Sequence, residues 1–172
     1  LLLALALLAP TLALTPPARA GDCTVTDTTD NAFGGSLRAK VLDTSCDSIS
    51  FQAGLGPITL TRTLAIARNL TITGPGKGSL TIRGGGTFPL LSVDVPGGLV
   101  VISGLMLAGG HATGGGYGGN LQVVHMGIMN LTDVALVDGT ADAGLGGAGA
   151  YLGGGYITLT DVTVSGNSAP GS

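Results

Sequence analysis

The chain has 172 residues, enough for one sizeable domain and too few for three. Glycine fills 32 positions without the every-third-residue period of collagen, and a hydrophobic content of 44% excludes a disordered polymer. Only 10% of residues are charged, every acidic one is Asp, and a net charge of −3 disfavours nucleic acid as a partner.

The first element is an apolar run from Leu1 to Leu14, followed by Thr15-Pro16-Pro17 and Ala18-Arg19-Ala20. This is the pattern of a signal-peptide core and an A-x-A cleavage site, so residues 1–20 are expected to be removed before Gly21. The run is too short for a membrane span, which leaves no transmembrane segment in the mature chain. The protein is therefore expected to be exported, to the extracellular space, the cell surface or the outer membrane. In an oxidising compartment the two cysteines, Cys23 and Cys46, default to a disulfide.

Residues 21–57 read as an N-terminal capping region. Asp27 to Gly35 is polar and turn-rich, and Ser36 to Leu42 reads as a short helix, with Ser36 as N-cap and Leu37 and Val41 as an apolar stripe. Such a helix suits the open first coil of a repeat stack, whose bare strand edges would otherwise recruit other chains.

From residue 58 to residue 172 the chain repeats itself. Ile157, Leu159, Asp161, Val162 and Val164 lie 28 residues after Met129, Leu131, Asp133, Val134 and Leu136. Val100, Ile102, Gly104, Leu105 and Leu107 precede those by 29, and Leu70, Ile72 and Gly74 come 30 earlier still. A drifting period of this length marks stacked coils. Within each unit apolar and small polar residues alternate, the period of a half-buried strand, and the alternation slips by one residue at Gly74, Gly104, Asp133 and Asp161. The slip predicts two short strands meeting at a corner with both apolar sets inward, so that Val162 points in and Thr160 out. The expected fold is an all-β parallel solenoid whose last described repeat ends in Gly166-Asn167-Ser168-Ala169.

Several stretches resemble a known family. Gly35-Ser36-Leu37-Arg38, Asp47-Ser48-Ile49-Ser50-Phe51, Leu70-Thr71-Ile72-Thr73-Gly74-Pro75-Gly76, Leu80-Thr81-Ile82, Ile102-Ser103-Gly104-Leu105 and the Leu159 to Ala169 ending are similar to exported bacterial proteins with a CSLREA-type N-terminal region. Two departures from the pattern stand out: Ala39-Lys40-Val41 follows Leu37-Arg38 in place of Glu-Ala-Ile, and Val164 stands where polymorphic outer-membrane protein repeats place Phe. The resemblance implies a right-handed parallel β-helix related to those repeats, secreted or surface-exposed.

Chemistry is sparse. Gly74-Pro75-Gly76-Lys77-Gly78-Ser79 lacks the Ser or Thr that a phosphate loop places directly after Gly-Lys, and reads as a tight turn. The glycine-rich stretches Gly109 to Gly119 and Gly144 to Gly155 lack the regular Asp of calcium-binding nonapeptides and read as long turns. His111 and His125 stand apart from each other. Asp133 and Asp161 are the one constellation with a physical case: in-register coils bring equivalent positions about 4.8 Å apart, and Ca²⁺, with Asp138 as a further oxygen donor, would relieve their repulsion. The alternative is a pair of corner-forming turn residues. Parallel β-helices also include polysaccharide lyases, which pair clustered acids with a basic residue; here Arg62, Arg68, Lys77 and Arg83 all precede the Asp-bearing coils. There is no Trp to stack on sugars, although Tyr117, Tyr151 and Tyr156 offer a weaker platform. The leading reading is an adhesin-like or structural scaffold with no catalytic residues and no cofactor unless calcium binds, facing a surface partner or a polysaccharide. The alternative is a carbohydrate-active β-helix whose catalytic coils lie beyond residue 172.

Overall fold

A computed structural model describes residues 21–114, 116–143 and 146–169; the signal-peptide reading of 1–20 lies outside them. In chain order the elements are β1 (Asp22–Val25), α1 (Leu37–Leu42), β2 (Ser48–Phe51), β3 (Ile58–Thr59), β4 (Leu64–Ile66), β5 (Leu70–Thr73) and β6 (Thr81–Arg83). They continue as β7 (Leu91–Ala108), β8 (His111–Ala112), β9 (Leu121–Val137), β10 (Thr140–Ala141), β11 (Ala150–Leu152) and β12 (Tyr156–Ser165). Every strand pairing is parallel, and the chain winds through about five turns of a β-solenoid.

The register is the one the repeat implies. Leu70 pairs with Val100, Val100 with Met129 and Met129 with Ile157, while Leu105, Val134 and Val162 form a second column. The same ladder reaches back into residues 21–57, where β1 pairs with β2 and β2 with β5. Side chains that alternate inward stack into continuous columns: Ile49, Ile72, Ile102 and Leu131 are all at most 2% exposed. Each apolar residue buries itself against its equivalents one coil above and below, so stability is shared between nearest neighbours.

At the corner the strands continue rather than break. Pairing runs from Ser103–Thr132 to Leu105–Val134 with one residue skipped, and that residue is Gly104, Asp133 or Asp161, at φ 64, 52 and 51. This left-handed conformation is open to Gly and tolerated by Asp. Gly74 fits for another reason: it lies so close to Gly104 that a Cβ on either would overlap the other's carbonyl. A second left-handed column, Gly109, Asp138 and Gly166, turns the chain again at the ends of β7, β9 and β12.

In α1 the Ser36 hydroxyl accepts from Ala39 N at 3.1 Å, while Leu37 and Val41 are buried with Val25 and Ile49. Cys23, on β1, is disulfide-bonded to Cys46, as expected, closing a separation of 23 residues. Such a closure contributes about 3 kcal/mol in the chain-entropy picture. No helix among the described residues is long and apolar enough to cross a membrane.

Candidate functional site

The corner column positions the two acids. Asp133 and Asp161 sit at equivalent places on consecutive coils, 39% and 67% exposed at the side chain. Beneath them Gly74 and Gly104 carry no side chains, so the turn 74–79 folds close over the corner, with Gly76 N donating to Gly104 O at 2.8 Å. The turn closes through Ser79 N to Gly76 O and leads into strand β6, as a tight turn should and a phosphate loop, which opens a helix, does not.

This path delivers Lys77 to the acids. Its backbone N donates to Asp133 Oδ2 at 3.2 Å, and its ammonium donates to the carbonyl of Asp161 at 3.0 Å and to Asp161 Oδ1. Asp133 Oδ1 lies 3.7 Å from the same nitrogen. The hydrogen bond to Asp161 chiefly, with the field of both carboxylates, raises the Lys77 pKa above its ordinary value and outweighs the opposing effect of desolvation. The separation of basic residues from the Asp-bearing coils, as read along the sequence, is therefore undone in space for Lys77. A lysine held protonated is a cation and a hydrogen-bond donor, and it is a poor proton acceptor near neutrality.

Calcium fits this arrangement badly. The ion takes six to eight oxygens, whereas the ammonium already lies against both carboxylates, and Ca²⁺ has to expel it to reach them. Asp138 belongs to the second left-handed column, five residues beyond Asp133. Among the described residues, the one trio of Cys, His and acidic ligand atoms close enough to share an ion is Cys23, Asp43 and Cys46. Its sulfurs are bonded to each other, and metal-ligating sulfur is thiolate.

Comparison of the chain with protein-family models, curated proteins and solved structures finds no match. What the site can do rests on its own geometry.

The histidines remain apart, each with an Asp. His111, on β8, meets Thr140 Oγ1 at 2.5 Å through Nδ1 and Asp142 Oδ1 at 3.0 Å through Nε2. The register makes this trio, because Thr140 lies directly over His111. His125 Nδ1 lies 3.2 Å from Asp94 Oδ1 with both side chains more than half exposed, a pair that contributes little in water. Tyr117 and Tyr151 stack with ring centroids 4.7 Å apart. Each thus spends on the other a face it would offer to a sugar, and the contact joins a glycine-rich loop to the next coil. Tyr156 is separate and 82% exposed.

The most elaborate polar assembly lies at the amino-terminal end. Arg38 forms a two-point bond with Asp30, Nε to Oδ1 at 2.7 Å and Nη2 to Oδ2 at 3.1 Å, and donates to the carbonyls of Arg62 and Thr63. Asp30 also accepts from Thr61 N and Oγ1, both at 2.7 Å. The two side chains are 6% and 1% exposed. Arg38 stood out in the sequence only within a motif, and nothing in the polar loop singled out Asp30. Two depressions of about 320 and 300 Å³ flank α1, lined in part by Phe33 and Leu42; Asp43 lines the first, and Asp133, Asp161 and the tyrosines line neither.

Proposed function

We propose that the chain is an exported, non-enzymatic scaffold, adhesin-like or structural, whose coils present glycine-rich loops to a surface partner. The observation that carries this reading is Lys77: among the described residues it is the one basic group within 4 Å of two carboxylates, and the three are arranged as an ion-paired clamp. An acid cluster working in lyase chemistry needs its carboxylates free for metal and substrate and its base free of its proton; here each group satisfies the others. The outward positions support the same reading, because loops from successive coils are held over one another by the Tyr117–Tyr151 stack and the His111–Thr140–Asp142 contacts.

In this reading residues 1–20 direct export, 21–57 cap the first coil, and 58–172 form the presenting body, of the CSLREA type and right-handed. The hand accords with the strong preference of parallel strand connections. The cap is supported by the Arg38 and Asp30 bonds to residues 61–63. The test has two arms: the amino terminus of the exported product, expected at Gly21, and incubation of the protein with polygalacturonate and calcium, read as ultraviolet absorbance of unsaturated sugars. Retention of the chain inside the cell with residues 1–20 intact overturns the export reading. Unsaturated product that disappears in Lys77→Ala overturns the scaffold reading.

A further inference from the structure

The outward sides of the solenoid differ from one another. On the side formed by β1, β2, β5 and the matching parts of β7, β9 and β12, one column runs Thr24, Ser50, Thr73, Ser103, Thr132 and Thr160, each paired with the next. Every coil thus contributes a hydroxyl at the same place, five of them exposed and Ser103 half-buried. At the first step the hydroxyls of Thr24 and Ser50 lie 3.3 Å apart. The neighbouring column on the same side, two residues back, begins with Asp22 and continues uncharged through Ser48, Thr71, Val101, Asn130 and Thr158.

Strand propensity does not account for the hydroxyl column, because it acts on every outward column alike. The other sides are mixed: Ala65, Ser92, Gln122 and Tyr151 stack on one, and Thr59, Arg83, Ala108, Val137 and Ser165 on another. Further back on the hydroxyl side, Leu99 and Ile128 are paired and remain 43% and 47% exposed. Exposed apolar side chains gathered beside an uncharged strip mark a contact surface.

Pairing along these strands runs from coil to coil without a register shift. The hydroxyls therefore repeat about every 4.8 Å along the stack, and the two columns stand about 6.6 Å apart. Thr is stiff at χ1, so much of the array is held in place before anything binds. An occupant that uses the whole face has to repeat with the same short period, offer hydrogen-bonding oxygens and carry no charge. We propose that this face binds ice. The repeat along the stack is close to the shortest repeat of the hexagonal ice lattice. The hydroxyls take the places of lattice waters, and the methyl and larger apolar groups between them let water order without competing bonds. A polysaccharide fits less well, because the aromatic ring that would stack on a sugar does not recur from coil to coil: Tyr156 pairs with Ile128, and Ile128 with Leu99. The face is separate from the glycine-rich loops, so the inference goes beyond the scaffold reading and does not depend on what those loops meet.

Ice crystals grown in a solution of the full chain should become faceted, and freezing should be held below the melting point by an interval that widens with protein concentration. Thr73→Lys, which sets a long charged side chain in the middle of the column, should abolish the interval with far-ultraviolet circular dichroism unchanged. Gln122→Lys, on another side, should preserve it. Thr132→Lys makes the same test two coils further on if Thr73→Lys fails to fold. Round crystals with no interval, an interval that survives the column variants, or one lost equally in Gln122→Lys each overturn the proposal. Retention on microcrystalline cellulose with no effect on ice overturns it in favour of a polysaccharide. These readouts are independent of the amino terminus of the exported product and of unsaturated sugar release, so this inference and the scaffold reading fail separately.

Discussion

Lys77 meets acids that follow it by 56 and 84 residues, and its protonated form is favoured by the bond to Asp161. Because its pKa is raised above the ordinary 10.5, the clamp is complete below that pH and is lost as the pH rises through the higher folded value. With the ammonium in place, thermal stability should be the same in calcium and in chelator. Lys77→Ala exposes Asp133 and Asp161 to each other, and its melting temperature should rise on adding calcium; a calcium response already present in the unmodified chain, and lost in Asp133→Asn with Asp161→Asn, would place the ion at the corner instead. The two acids were legible in the sequence as a column because the repeat fixes their register. Lys77 was not, because its approach depends on a turn folding over two side-chain-free corners, and spacing along the chain carries no trace of that.

The segment from Thr26 to Asp43 has few apolar residues of its own, and it is fastened largely by polar contacts. Burial pushes the Asp30 carboxyl up, but hydrogen bonds from Arg38 and Thr61 more than offset it, and the group ends below its usual value of 3.8. A depressed carboxyl contributes stability that is full above its unfolded pKa and is lost as the pH falls through the folded one. Hydrogen-exchange protection of residues 26–43, corrected for the intrinsic pH dependence of exchange, should therefore fall below about pH 4 before that of the coils, and Asp30→Asn should show the lower protection already at neutral pH. Protection lost uniformly along the chain at the acid transition would mean that the segment is not separately fastened. Ser36, Leu37 and Val41 were readable from capping and spacing rules that act within a few residues. The Asp30–Arg38 bond was not, since it forms between a loop and a helix with no shared period.

Across the whole molecule the coils are equivalent in sequence but not in surroundings. Val134 and Val162 occupy the same column, yet Val134 is fully buried between two coils whereas Val162 has one below it and is half-buried. The inward direction read from the alternation holds for both, but the disruption that pattern suggests for Val162→Asp belongs more to Val134. Val134→Asp should cost on the order of 4 kcal/mol and unfold the stack in a denaturant titration, whereas Val162→Asp should fray the last coil and Thr160→Asp should change little; equal midpoints for all three would refute the inward assignment. Repeats made the coil-to-coil register legible, since every column obeys one alternation. The second left-handed column escaped, because Gly109 and Gly166 lie among other glycines and a single Asp138 breaks no pattern. The hydrogen bonds between coils lie along the long axis of the stack, the direction in which a pull on the carboxyl-terminal end acts. Such a load should peel one coil at a time, each release of 28 to 30 residues paying out chain of on the order of 100 Å, while the stretch closed by Cys23–Cys46 stays shut; single-molecule extension of the described coils should therefore show steps of that length.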